Sequence, residues 1–188
     1  MGMFNEIEKR YILDLAHRSI EWYFLNEKML EIDEKEINFK KLKEKLSCFV
    51  TLTIDGKLRG CVGHIESTEM LYLDIIESAY RSAFFDNRFL PLSLEEFKKT
   101  KIEVSVLSKT EKLEYSHSED LIKKLRVGID GVVIQKSETR ATYLPQVWSD
   151  FSSAEDFLSS LCLKAGLGEL EWKSGDVSFF VYQAELVE

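Results

Sequence analysis

Lys57-Leu58-Arg59-Gly60-Cys61-Val62-Gly63-His64 is the stretch from which the rest of this chain can be read. An apolar run of β type, Cys48-Phe49-Val50-Thr51-Leu52-Thr53-Ile54, comes before it, and Asp55-Gly56 lies between the two. Asp-Gly is a two-residue hairpin signal, because that turn needs positive φ at both central residues. Cys61 is therefore expected late in the second strand of a hairpin. Alternate side chains of a strand share a face. Simple alternation points Lys57, Arg59 and Cys61 one way and the apolar Leu58 and Val62 the other, toward a core. A guanidinium and a thiol would then lie side by side between Gly60 and Gly63, and glycine lets backbone or ligand approach closely.

Working outward, Leu13, Ala16, Ile20, Tyr23 and Phe24 recur at helical spacing and predict a long amphipathic helix over 5–31. His17 on that helix reads as a polar surface residue. Phe39, Leu42 and Leu46 predict a short helix within 34–46. Ser67 or Thr68 is the expected cap of a helix over 69–85, whose apolar stripe is Tyr72, Ile75, Ile76, Ala79 and Ala83. Ser93 and Glu96 have capping-box spacing, which predicts a short helix over 93–99. Residues 101–108 alternate as a half-buried strand with Ile102, Val104 and Val106 on one face. Leu121, Ile122 and Leu125 predict another short helix. The runs 132–134 and 141–144 pair as a second hairpin. Phe157, Leu158, Leu161, Cys162 and Ala165 mark a helix stopped by Gly166, and 177–187 reads as one long closing strand. Two hairpins among helices predict an α+β fold, with a largely antiparallel or mixed sheet and helices packed on it. The 188 residues suit one domain, or one domain with two lobes.

Composition narrows the function. Charged residues make up 31% of the chain and the net charge is −8, which disfavours nucleic acid as a partner, since its phosphates are met by Lys and Arg. The densest basic run, Lys40-Lys41-Leu42-Lys43-Glu44-Lys45, reads as a solvated face. Three widely spaced cysteines without a CxxC pair suit a reducing compartment. The opening residues lack the apolar core of a signal peptide, and no run approaches the ~18 apolar residues of a membrane span. A cytoplasmic protein with no membrane partner is expected. No P-loop or GxGxxG occurs, so the usual nucleotide-binding loops are absent and no cofactor is expected; no GxSxG occurs, which argues against a hydrolase nucleophile elbow.

The leading chemical candidate is Cys61 beside Arg59. The thiolate is the reactive form of cysteine, and a neighbouring cation favours it. The alternative is that Cys61 is a small packing residue. Cys48 on its apolar strand and Cys162 on its apolar helical stripe read as core. His64 lies three residues after Cys61 and is a candidate base for the thiol. As metal ligands Cys61 and His64 would need one or two more protein donors. His17 and His117 stand alone, so no metal site is expected. Glu66 is a candidate partner for Arg59 or His64, or a solvated loop carboxylate.

Leu58-Arg59-Gly60-Cys61-Val62-Gly63 resembles the LRGC-[IV]-G signature of the AMMECR-like domain family. The resemblance continues in order through AFFDNRF, KIEVSVLS, YLPQVW and LCLKAGL, over roughly residues 48 to 186. It implies one AMMECR-like domain over 1–188. It also implies a site centred on Cys61, with Asp86 and Arg88 at its mouth, Gln146 facing a substrate, and Trp148 and Lys164 in matching blocks. Structural roles for these last residues stay open: an Asp86–Arg88 pair holding a turn, a core Trp148, a solvated Lys164. The family pattern carries a small hydroxyl residue where this chain has His64. Two functions follow. One is a thiol-dependent enzyme or substrate carrier in a small-molecule or modification pathway. The other is a non-catalytic adaptor for the Memo-type and radical S-adenosylmethionine proteins with which the resemblance associates the domain.

Overall fold

The computed structural model describes residues 2–188, which form two compact units. One runs up to Leu107 and includes Glu185–Glu188; the other is Ser108–Ala184. The elements in order are α1 (Glu6–Asn26), β1 (Ser47–Ile54), β2 (Lys57–Gly63), α2 (Leu71–Phe84), α3 (Leu94–Phe97), β3 (Lys101–Leu107), β4 (Glu111–Lys112), α4 (Ser118–Lys124), β5 (Gly131–Lys136), β6 (Thr139–Tyr143), α5 (Ala154–Lys164), β7 (Ser178–Tyr182) and β8 (Ala184–Val187).

The first unit is built on a four-stranded sheet in the order β2-β1-β3-β8. Cys48, Val50 and Leu52 of β1 alternate inward and are fully buried, with Val104 and Val106 of β3 beside them. Onto them α2 lays the whole stripe expected of it, Tyr72, Ile75, Ile76, Ala79 and Ala83, and α1 adds Ile12, Leu15, Ala16 and Ile20. The inward face of α1 is therefore rotated from the expected stripe: Leu13, Tyr23 and Phe24 are only partly buried. Asn5 starts α1 with a capping box closed by Glu8. The helix stops at Asn26, short of residue 31, because Glu27 turns left-handed at φ 55°. Residues 34–46 form two 3-10 turns, Glu34–Glu36 and Lys40–Lys43, and not the expected helix. Only Leu42 of these turns is buried, too little apolar surface to hold a helix on the core. Neither Ser67 nor Thr68 caps α2. Met70 is its cap residue, and the Leu71 N–H is satisfied by the Glu44 carbonyl from the preceding loop. The Ser93/Glu96 capping box is present.

The second unit carries a separate sheet in the order β4-β7-β5-β6, so the expected single sheet is two. The β5/β6 hairpin turns through Ser137 at φ 52°. The buried face of α5 is Phe157, Leu158, Leu161 and Cys162, and the chain leaves it through Gly166 at φ 73°. Trp148 stacks on Phe157 at 3.6 Å and donates its indole N–H to the Asp130 carbonyl, as a core aromatic does. The expected strand over 177–187 is interrupted at Gln183, whose backbone N–H and C=O both bond Ser108. β7 joins the second sheet and β8 the first.

Candidate functional site

β2 is an edge strand, and its shape departs from simple alternation. The register with β1 pairs Leu52 with Gly60 but Thr53 with Leu58, so Arg59 is an extra residue in a β-bulge. The bulge reverses the facing of Leu58. It shares the outer face with Thr53 and is 45% exposed, where alternation had placed it in the core. Cys61, opposite Thr51, lies on that same outer face, and the Thr51 hydroxyl donates to its Sγ at 3.4 Å. Gly60 and Val62 oppose Leu52 and Val50 on the helix-covered face.

Both glycines of the motif are demanded by space. A Cβ on Gly60 would lie 2.2 Å from the Ser82 carbonyl oxygen of α2. A Cβ on Gly63 would lie 2.1 Å from the Cys48 carbonyl oxygen. Neither has positive φ, unlike Gly56 in the hairpin turn at φ 72°.

The free edge of β2 is closed by side chains. Asp86 accepts the Cys61 backbone N–H at 2.9 Å. Arg88 donates to the Cys61 carbonyl at 3.1 Å and to Asp86 through Nε at 2.9 Å and Nη2 at 2.6 Å. The pair thus occupies both backbone groups of the cysteine, as a neighbouring strand would. The hydrogen bond from Arg88 is the main reason the buried Asp86 carboxyl is lowered to about 2, with the Cys61 N–H adding to it. In turn the Arg88 guanidinium is raised, chiefly by its hydrogen bond to Asp86.

Arg59 has a different partner from the one expected. Its Nε and Nη2 grip Glu96 at 2.9 and 3.0 Å, and Nη2 also donates to the Leu90 carbonyl. This hydrogen bonding lowers Glu96 to about 2. The Phe89 ring packs against two cations, 5.7 Å from the Arg59 guanidinium carbon and 5.6 Å from that of Arg88.

His64 does not act on Cys61 here. Its Nδ1 lies 2.6 Å from Asp74 of α2, on the helix side of the sheet, and its backbone N–H bonds the Cys48 carbonyl. The other oxygen of Asp74 accepts the Cys48 N–H at 2.7 Å. The Cys48 thiol is fully buried, and burial pushes it well above its ordinary value. Glu66 is exposed on the following loop. Gln146 is exposed in the second unit, at the start of the 3-10 segment Pro145–Asp150. Lys164, also in that unit, donates to the Thr142 carbonyl and lies over the Tyr143 ring at 4.5 Å. Among the described residues, no group of three or more His, Cys, Asp or Glu side chains could hold a metal ion. No described helix is long and apolar enough to cross a membrane.

Buried polar residues of α2, with Asp86 beyond its end, organise this region. Asp74, Ser78 and Ser82 are buried polar residues four apart on α2, and Asp86 continues the spacing just beyond its end. Asp74 holds the start of β1. Ser82 bridges the strands by donating to the Val50 carbonyl at 2.7 Å and accepting the Val62 N–H at 2.8 Å. Asp86 holds β2. Among the described residues, Ser78 Oγ is the buried side-chain oxygen without a well-formed hydrogen bond, and its interaction is with the Cys48 thiol. The signal was present in the sequence as a four-residue polar repeat running beside the apolar stripe, since residues four apart share one side of a helix.

Comparison with known proteins agrees with this architecture. A family model described as AMMECR1 matches residues 13–187. A protein of Thermofilum pendens is 34% identical over 197 residues, covering 99% of this chain and 92% of its own. Protein MJ0810 of Methanocaldococcus jannaschii is 33% identical, covering 96% of this chain and 90% of its own. The crystal structure of the uncharacterized protein PH0010 from Pyrococcus horikoshii superposes with a TM-score of 0.88 at 33% identity, over 97% of this chain and 92% of that one. With the family model spanning nearly the whole chain and full-length relatives above 30% identity, the chain belongs to the AMMECR1 family.

Proposed function

We propose that the protein uses Cys61 as a substrate-handling thiol, either as the nucleophile of an enzyme or as the attachment point of a carrier. One observation supports this over a purely structural role. Cys48 and Cys162 are fully buried, whereas Cys61 is half-buried on the outer face of an edge strand, with a hydroxyl donor on its sulfur. Its backbone is fixed at both polar groups by Asp86 and Arg88, and the Thr51 hydroxyl meets the sulfur that projects from it. In the step, the Cys61 thiolate attacks an electrophilic carbon. A carbon–sulfur bond forms and the bond from that carbon to its leaving group breaks. The leaving group keeps that electron pair, and the thiol proton passes to solvent. Thr51 donates a hydrogen bond to the sulfur. The charges of Arg59 and Arg88 are offset by the bound Glu96 and Asp86, respectively. His64, turned to Asp74, is not assigned to the step. The test is native alkylation of the whole protein with iodoacetamide, followed by peptide mapping. Cys61 should be modified before unfolding, and Cys48 and Cys162 only after it. Modification of Cys61 only on unfolding refutes the proposal.

A second reading, the adaptor, is favoured by a separate observation. Phe85, Leu90 and Leu94 are 56%, 84% and 50% exposed around the Asp86–Phe89 segment. These side chains would form the contact with a Memo-type or radical S-adenosylmethionine protein. Co-purification with such a partner should be lost on Leu90→Asp and retained on Cys61→Ser. Loss in Cys61→Ser alone would count for the thiol reading.

A further inference from the structure

Away from Cys61, the first unit carries a second concave feature. The chain leaving α1 and the opening turns of α2 enclose a groove of about 390 Å³. Leu30 and Ile76 form a buried apolar floor, Leu73 lines a wall, and the half-exposed Met29 forms a lip. This volume suits one or two large side chains.

The rim has one sign of charge. Glu31, Glu69 and Glu77 border the opening. Among the described residues, Glu31 and Glu69 enter no ion pair. Glu77 meets only Arg81, in an exposed pair one helical turn away, and such pairs exchange at little cost. The negative field extends past the rim. Tyr72, on the adjoining turn of α2, is raised first by burial and then by the charges of Glu34, Asp33 and Glu69. An apolar floor under a carboxylate rim complements a ligand with an apolar centre and cationic flanks, and it disfavours anions and purely apolar ligands.

We infer that this groove docks a basic amphipathic segment of a protein partner, with an apolar side chain on Leu30 and Ile76 and flanking Lys or Arg residues against Glu31, Glu69 and Glu77. The inference is independent of any role for Cys61. The site is small and the charged contacts lie at its rim, so binding should be weak to moderate and should fall with salt.

The test uses the whole protein and a labelled synthetic helical peptide of leucine and lysine, followed by fluorescence anisotropy. A matched peptide of leucine and glutamate is the sign control. The basic peptide should bind at low salt and the acidic one should not. The triple variant Glu31→Gln, Glu69→Gln, Glu77→Gln should weaken binding at least ~10-fold, because three rim contacts are lost. A second triple variant, Glu138→Gln, Glu155→Gln, Glu169→Gln, removes the same number of exposed charges from the other unit and should leave affinity within ~2-fold, which separates the groove from the general acidity of the chain. Neither triple touches the core, so both should fold. The inference is overturned if the basic peptide does not bind, if the two triples weaken it equally, or if octylammonium binds in the groove and the peptide does not.

Discussion

Gly60→Ala is the most direct test of how α2 is seated on the hairpin. The added methyl would stand 2.2 Å from the Ser82 carbonyl oxygen and 3.1 Å from its carbon, with the Leu52 side chain at 3.7 Å. The obstacle is helix backbone, which no rotamer change can move. Restoring a normal carbon–oxygen contact requires strand and helix to part by roughly 1 Å. Such a shift would carry the Ser82 hydroxyl away from both Val50 and Val62, to which it now bonds at 2.7 and 2.8 Å. Overpacking costs about 1–3 kcal/mol, and two weakened hydrogen bonds add about 1 kcal/mol each. The expected destabilisation is therefore about 3–5 kcal/mol, a large share of the ~5–15 kcal/mol that holds a domain folded. Gly56→Ala is the control. Its Cβ would meet nothing within 4 Å, but its φ of 72° charges a left-handed penalty of about 1 kcal/mol. Urea unfolding of both variants, followed by far-UV circular dichroism, gives the comparison, and native amide exchange reports local loosening. If Gly60→Ala costs no more than Gly56→Ala, the close helix–strand approach is not what selects glycine at position 60.

Ser82→Ala should destabilise by about 1–3 kcal/mol, since it removes the buried hydroxyl that bonds both the Val50 carbonyl and the Val62 N–H; Ser78→Ala, at a hydroxyl with no well-formed hydrogen bond, should be neutral or mildly stabilising in the same urea assay. Asp86 ionises at about 2 in the folded chain against an ordinary carboxyl near 3.8, so its contribution, on the order of 2 kcal/mol, is complete above about pH 4 and lost as pH falls through 2. Asp86→Asn should flatten that part of the curve of stability against pH, and an unchanged curve would remove Asp86 as its source. His64→Phe takes one of two partners from the buried Asp74 and should cost about 1–3 kcal/mol, readable as an earlier urea midpoint with an unchanged slope.

Local chemistry accounts for what the sequence made legible. The β1/β2 hairpin, the α2 stripe, the Ser93/Glu96 cap, the β5/β6 hairpin and the Gly166 stop each rest on contacts a few residues apart, and each stands in the structure. The misses depend on distant partners. The bulge at Arg59 is not encoded by any turn signal, and it moved Leu58 to the outer face. Arg59 was placed beside the thiol because strand neighbours are visible in sequence, while Glu96, 37 positions away, is not. Gly63 looked like room for a ligand, and the room is taken by β1. His64 lies three residues from Cys61 in sequence, but it faces Asp74 on the helix side of the sheet. The closing strand looked continuous because nothing in 177–187 announces that Gln183 bonds Ser108 and that β7 and β8 serve different sheets.

The polar repeat along α2 has a kinetic corollary. The Cys48, Cys61 and Val62 amides belong to strands, yet their protons are held by Asp74, Asp86 and Ser82. Their exchange with solvent deuterium is therefore timed by the helix lifting off, and not by fraying of the hairpin. The three amides should exchange as one cooperative group with a shared opening free energy, although two of them sit on an outermost strand where rapid, independent exchange is the usual rule. The edge of this sheet would behave, on the hydrogen-exchange clock, as part of its interior.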